Sequence, residues 1–403
     1  MSLPRSALLA AVLAVLAVIA PGAASGSRQL QVGLTDHAAA LNADPKFFAT
    51  LGQLHAEVLR VNLYWGGPLG VSRRRPVNGA DPGDPSYDWR RYDRLVFNAA
   101  RQRIRIAFSI FATPAWANRG RGRNRPPDNP VHLEKFAYAA AARYSGTWQR
   151  REDDARLPPV RLWIAWNEPN LNLGLVPQFR KVNGKWRIQS ARDYAKICNA
   201  IYDGVHVTGL TGQKVACGVT APRGNNAPNQ RRPSVSPVAF LRAMKRYGVR
   251  TFDAYAHQPY YGGPRETPST PPRARTAVTL GNIDVLVKEV TRLFGPRRIW
   301  LTEYGYQTRP PDLTFGVSWA RQARYLAQAY AIARAHPRID MLLWFLLRDE
   351  DRLDGWQSGL VTANGKRKPA FEAFRRMPRL AEPFVFDDDG YGYSSLPLAF
   401  PGV

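Results

Sequence analysis

Eight short runs rich in branched and aromatic residues recur along this chain, and most are followed by a loop and a helix-like segment. They cover residues 30–36 (LQVGLTD), 58–65 (VLRVNLYW), 104–112 (IRIAFSIFA), 160–167 (VRLWIAWN), 215–221 (VACGVTA), 252–258 (FDAYAHQ), 298–305 (RIWLTEYG) and 341–347 (MLLWFLL). Near-continuous apolar character marks strands covered on both faces. Helical patterns fill the intervals, at 45–56, 88–102, 131–144, 191–208, 238–247, 282–294 and 316–335. This rhythm predicts an α/β fold, a (β/α)8 TIM barrel with extended βα loops, over residues 28–378. An open doubly wound sheet is the alternative, but no glycine-rich phosphate loop follows the first strand.

Apolar residues make up 45% of the 403 and charged residues 22%, which suits a chain with a real core. The N terminus reads differently. Arg5 precedes the run ALLAAVLAVLAVIA (7–20) and then PGAASGS. A basic start, a short apolar run and small residues predict a secretory signal peptide over 1–25, cleaved near residue 25. The run is short for a membrane span, which needs about 20 apolar residues; an uncleaved anchor is the other reading. The expected product is secreted, monomeric and without stable membrane insertion, with a C-terminal tail over 379–403. The two cysteines, Cys198 and Cys217, either pair or stay reduced and buried, and neither implies a metal site.

Lys and Arg number 57 against 31 Asp and Glu, for a net charge of +26. Such a chain is drawn to anionic surfaces such as acidic glycans. The plainer account is arginine spread over solvated helix faces, as at Arg90, Arg91 and Arg94 or Arg242 and Arg246. The basic run RGRGRNR (119–125) lacks interleaved aromatics, so nucleic acid is not an expected partner. No metalloprotease helix, serine elbow, phosphate loop or calcium loop occurs, and no cofactor or metal is expected.

The fourth strand run ends in Asn167-Glu168-Pro169, and the seventh ends in Glu303-Tyr304-Gly305. In a barrel, residues at the C-terminal strand ends face the active site. Pro169 lacks an N–H and stops the ladder there, which presents Glu168 at the rim. Burial raises a carboxyl pKa, as a general acid needs near neutral pH. Two carboxylates flanking a sugar about 5–5.5 Å apart make a retaining glycosidase, and about 6.5–9.5 Å apart an inverting one.

The pair WNEPN and LTEYG resembles the signatures of clan A retaining glycoside hydrolases, (β/α)8 enzymes with the acid/base on strand four and the nucleophile on strand seven. The segment ATPAWA, with Pro114 and Trp116, places the likeness nearest family 39 or family 5-like members. The resemblance implies roles. Glu168 is the acid/base and Glu303 the nucleophile. Asn167 binds the sugar 2-hydroxyl, and Arg60 holds Glu303 ionised. His257 lines the site, and Tyr260 or Tyr255 bonds the nucleophile. Trp344 forms the sugar-stacking floor. Beside the resemblance, Trp65, Trp116 and Trp356 are either further sugar platforms or core residues, Asp36 and His37 are candidate subsite residues, and Asp349, Glu350 and Asp351 either touch substrate or solvate a loop, the loop being the expected role. Many clan members carry a histidine late in the third strand; IRIAFSIFATPAW has none.

These roles imply an O-glycosyl hydrolase cleaving β-glycosidic bonds by double displacement, with a carbohydrate substrate and no cofactor. Arg73–Arg75, Arg119, Arg121, Arg123, Arg223, Arg265 and Arg309 fall in the expected active-face loops and point to an anionic glycan. The rival is a catalytically silent glycan-binding barrel at the cell surface.

Overall fold

The computed structural model describes residues 30–151 and 155–379 and two two-residue strands, 385–386 and 393–394, that pair antiparallel with each other. The expected signal segment and most of the tail lie outside the described residues. In chain order the elements begin β1 (Gln31–Thr35), α1 (His37–Leu41), α2 (Pro45–Gln53), β2 (Val58–Tyr64), α3 (Arg90–Arg101), β3 (Arg105–Phe111), α4 (Val131–Arg143) and β4 (Leu162–Ala165). A hairpin follows, β5 (Phe179–Val182) and β6 (Lys185–Ile188), then α5 (Gln189–His206), β7 (Lys214–Thr220), α6 (Pro237–Arg246) and β8 (Ala254–His257). The barrel ends with α7 (Asp284–Phe294), β9 (Arg298–Tyr304), α8 (Trp319–Ala335), β10 (Ile339–Phe345) and α9 (Pro369–Arg375).

Eight of these strands close a parallel barrel in the order β1-β2-β3-β4-β7-β8-β9-β10, with β10 pairing back onto β1. The expected TIM barrel is therefore present, and every expected barrel strand forms within two residues of its anticipated ends. The hairpin was not anticipated. It turns on Asn183 and Gly184, both at positive φ (49° and 77°), the geometry that asparagine-glycine turns favour.

Two apolar layers hold the barrel. A small inner cluster takes alternate strand residues, among them Val58, Leu162, Ile164, Ala254, Ala256, Trp300, Met341 and Leu343. Period-two alternation aims these into the lumen. The intervening residues, such as Leu59, Val61, Leu63, Leu301 and Leu342, join the larger cluster under the helices. Crowding in the lumen is severe at β1, where a Cβ on Gly33 would lie 1.9 Å from the Val58 carbonyl oxygen. Helix α5 lays Ala191, Tyr194, Ala195, Cys198, Ile201 and Val205 against the sheet, and Cys198 is disulfide-bonded to Cys217 of β7.

Two register shifts matter for the site. Opposite Leu342 and Trp344 of β10, β9 spends one extra residue between Leu301 and Tyr304. With Trp300 pointing inward, strict alternation would send Thr302 inward and Glu303 outward; the extra residue turns Glu303 towards the catalytic face. A similar shift in β7, between Gly218 and Thr220, is centred on Val219 at φ 50°.

Candidate active site

The stretch that presents Glu168 is strained and tightly tied. Trp166 and Glu168 both hold positive φ, 74° and 40°. So do Ala112, Val219 and Leu346, each at the C-terminal end of another barrel strand. Such non-glycine residues cost on the order of 1–3 kcal/mol each and cluster at functional sites. Local bonds hold them. The Glu168 N–H donates to Val219 O at 3.0 Å, and the Trp166 indole donates to Gly174 O at 2.8 Å. Buried Asn170 donates to three carbonyls, of Ala221, Arg223 and Val235, and accepts from the Ala221 N–H. The second asparagine of WNEPN thus pins the Glu168 loop to the loop after β7. Buried Gln178 adds bonds to Pro169 O and Leu175 O.

Glu303 receives three donors. Arg60 of β2 is fully buried and donates to Oε1 as an ion pair. Gln258 donates from Nε2 to the same oxygen at 2.9 Å, and the Tyr260 hydroxyl donates to Oε2 at 3.0 Å. The network continues to Asn167, whose Oδ1 accepts from Arg60 at 2.7 Å and from Gln258 at 2.9 Å. Arg60 also reaches Ser109 Oγ at 3.2 Å, and Ser109 donates to Trp166 O at 2.6 Å. One buried guanidinium therefore joins β2, β3, β9 and the loop that follows β4. Its planar fork meets several acceptors at once, which a lysine could not do.

The two glutamates live in different surroundings. Burial, with the Glu303 carboxylate adding to it, pushes the Glu168 carboxyl up to about 8, against a weaker pull from Arg60. Glu168 is then protonated at neutral pH. The Tyr260 phenol is pushed well above its ordinary value by burial and by both carboxyls, so it remains a donor. His37 accepts the Asn62 N–H on Nδ1 at 3.2 Å, and burial beside Arg60 lowers it to about 3, so it stays neutral.

A cavity of about 880 Å³ opens at this end of the barrel. Its wall includes Glu168, Glu303, Asn167, Asn62, His37 and Tyr260, with Phe345 and Trp356 as aromatic surfaces. Trp356 leans on Tyr260 with ring centres 5.2 Å apart, and on Phe345 edge to face.

Several expected positions fall elsewhere. Trp344 is fully buried, belongs to the layer under the helices and donates its indole N–H to Ser358 O at 2.8 Å. It does not line the cavity; its neighbour Phe345 does. His257 is also fully buried, with Thr220 Oγ1 on Nδ1 at 2.8 Å and Val278 O on Nε2 at 3.0 Å. A carbonyl only accepts, so Nε2 carries the proton. Both nitrogens are satisfied, and the cavity wall lacks His257. Trp116 donates to Ser72 O and packs edge-on against Trp65, away from the wall. Of the two tyrosines, Tyr260 reaches Glu303, whereas Tyr255 meets Thr220.

Among the arginines named for an anionic glycan, only Arg223 borders the cavity, alongside Glu168, Glu303, Asp312 and Asp354. Arg119 and Arg121 instead pair with Asp128. The acids there are partly neutralised, Glu303 by Arg60 and Asp354 by Arg352. Asp349, expected to solvate a loop, is buried in an ion pair with Lys368. Gln258, which bridges Asn167 and Glu303, was not singled out in the sequence, because the adjacent His257 carries the more conspicuous chemistry.

No protein-family model and no curated protein matches the sequence. Solved structures do match. The chain is similar to a family 39 glycoside hydrolase from Bacteroides cellulosilyticus WH2, with TM-score 0.57, 19% identity and coverage of 86% of this chain and 63% of that one. It therefore spans less than two thirds of that protein's length. A glucosidase from Croceicoccus marinus gives TM-score 0.62 at 16% identity, over 87% of this chain and 67% of that one. A family 5 glycoside hydrolase from Streptomyces cattleya, in complex with GlcNAc, gives 0.51 at 14%, over 88% and 83%. At these identities the likeness is one of fold: the chain is a closed (β/α)8 barrel whose solved structural relatives include glycoside hydrolases of families 39 and 5, the group its two glutamate motifs resemble.

Proposed function

We propose that this protein is an exported glycoside hydrolase that cleaves β-glycosidic bonds with retention. One observation carries the reading. Glu168 and Glu303 border one cavity at the ends of the fourth and seventh barrel strands, one carboxyl raised to about 8 and the other held by Arg60, Gln258 and Tyr260. Environments that differ between two carboxyls are how acid and nucleophile roles are divided.

In the first step Glu303 attacks the anomeric carbon. The bond from that carbon to the leaving oxygen breaks with its electron pair, and the Glu168 proton passes to that oxygen. Glu168, now a base, takes a proton from water, whose oxygen attacks the anomeric carbon and releases Glu303. Asn167, fixed by Arg60 and Gln258, faces the sugar beside the reacting carbon. Export is supported by the basic and apolar N-terminal run and by the Cys198–Cys217 disulfide, a bond favoured in oxidising compartments.

The test is a panel of aryl β-glycosides and β-glycan polymers, with Glu303→Ala beside the wild type and the product anomer read by proton NMR. Turnover by the wild type alone, with a β product first, is expected. Equal turnover by the variant overturns the nucleophile assignment, and an α product overturns retention. Silence on every substrate, with glycans still bound, favours a non-catalytic glycan-binding barrel.

A further inference from the structure

Around the mouth of the cavity, three separate βα loops hold apolar side chains in solvent. Leu173, after β4, is 80% exposed; Leu353, after β10, is 75% exposed. Phe315, after β9, is 44% exposed, and Trp356, after β10, 38%. All four border the cavity, with Leu171 beside them. Leu313, 72% exposed, lies in the same loop as Phe315. A lone surface leucine is ordinary. Several gathered around one opening, from loops far apart in sequence, form a patch of the kind that marks a binding site. The floor has the opposite character, with Glu168, Glu303 and Asn167. Arg223, Asp312, Thr314 and Asp354 share the mouth, but the stretch beside Glu168 is apolar, with Leu171 and Leu173.

We infer that the leaving group is apolar, so that the substrate is a glycoside joining a polar sugar to an alkyl or aryl aglycone rather than to a second sugar. This rests on the glycosidase reading. The direction follows from Glu168. The acid protonates the leaving oxygen, so the leaving group lies on its side of the sugar. Leu171 and Leu173 belong to the Glu168 loop, and the Leu171 N–H donates to Glu168 O at 3.0 Å. Leucine offers neither a flat ring face nor a hydrogen bond. A second sugar against Leu171 and Leu173 would lose water from its hydroxyls with no hydrogen bond from those side chains in exchange. A hydrocarbon there gains from leaving water, about fourfold in affinity for each methylene fully buried. The aglycone departs as a neutral alcohol or phenol once Glu168 has delivered its proton.

The experiment uses the sugar that the aryl glycoside panel identifies. Its methyl, hexyl and octyl β-glycosides, below their micelle concentrations, are compared with its β-linked disaccharide and trisaccharide. The measured quantity is kcat/KM for the wild type and for Leu173→Ser/Leu353→Ser. Both leucines are largely exposed, and a melting curve checks that the fold is kept. In the wild type the octyl-to-methyl ratio should reach about tenfold, a partial burial of the chain, and octyl should exceed the oligosaccharides. In the double variant the ratio should fall towards one. A flat series in the wild type, a ratio shared by both proteins, or a preference for the oligosaccharides overturns this inference and leaves the glycosidase reading standing. No turnover of any glycoside overturns both.

Discussion

Tyr260 holds Oε2 of Glu303 with a single hydrogen bond of 3.0 Å, while Arg60 and Gln258 both hold Oε1. The two oxygens of one carboxylate are therefore unequal. An attacking carboxylate benefits from this, since one oxygen anchors the group while the other turns to the substrate. Tyr260→Phe deletes the only donor on Oε2 among the described residues and keeps the ring against Trp356. A hydrogen bond to a charged group is worth about 1.5–3 kcal/mol. We expect kcat/KM on an aryl glycoside to fall about tenfold to a hundredfold. A loss below twofold, in steady-state kinetics on folded protein, would show that the bond does no catalytic work.

Glu168 must carry a proton to act as the acid, and its carboxyl is raised to about 8. Turnover of substrates with poor leaving groups should hold up to that pH and decline above it. Substrates with good leaving groups need no proton, so Glu168→Ala should hurt them far less and should abolish the alkaline limb. A general acid contributes about 10²–10⁴-fold, which sets the size of the loss on natural substrates. Recording pH–rate profiles for both proteins checks this; an alkaline limb that survives the substitution belongs to another group.

The same raised carboxyl has a consequence for stability, with a definite sign. The folded protein keeps the Glu168 proton up to about 8, whereas the unfolded chain releases it near 4.5. Between those values the native state binds more protons than the unfolded state, so stability falls as pH rises. Glu168→Gln cannot ionise and escapes the penalty. Its melting temperature should match the wild type near pH 4.5 and exceed it increasingly up to pH 8. A difference that is flat with pH would mean the carboxyl is not destabilised by burial.

The barrel is legible in the sequence because parallel strands covered on both faces read as unbroken apolar runs, and all eight appear at their expected places. The approach of Glu168 and Glu303 to one cavity is legible for a related reason: each ends such a run. Rotations of single residues are not. At β10 the expectation falls on Trp344, whereas Phe345 meets the cavity; a shift of one residue changes the face of a strand. At β8 it falls on His257, whereas Gln258 reaches Glu303, beside a β7 whose extra residue alters the register. Bulges leave no periodic signal. The hairpin did leave one, Asn183-Gly184, but its strands are only four residues each and half basic, with Phe179, Trp186 and Ile188 gathered on one face only once they pair. The apolar patch at the mouth is illegible because Leu173, Phe315 and Leu353 meet only after folding.

Trp344 and Trp356 separate packing from binding. Trp344→Phe removes a buried indole and its bond to Ser358 O, and should cost about 1–3 kcal/mol in denaturant unfolding. Trp356→Ala removes a half-buried ring that faces the cavity. Its main effect should be a KM raised several-fold with the unfolding midpoint little changed. The reverse pattern, with Trp344→Phe sparing stability and Trp356→Ala sparing KM, would mean that Trp356 does not contact substrate.

The loop that carries Trp356 hangs on a buried ion pair. Lys368 Nζ lies 2.7 Å from Asp349 Oδ2 and also donates to Thr308 Oγ1 at 2.8 Å and Gln357 O at 3.2 Å. Asp349 Oδ1 accepts from the Gly359 N–H at 2.8 Å. Burial raises the Asp349 carboxyl and lowers the Lys368 amine, so desolvation works against both charges, and the pairing is the main force that opposes it. Lys368→Met leaves Asp349 buried without its cation and should cost about 3–5 kcal/mol. The double variant Asp349→Leu/Lys368→Met removes both charges and should recover most of that loss. Limited proteolysis gives a local reading, because a loosened loop should be cut faster at Arg352 in Lys368→Met and less so in the double variant. Equal costs for the single and double variants would mean that the contacts to Thr308 and Gln357, not the charge pair, hold the loop.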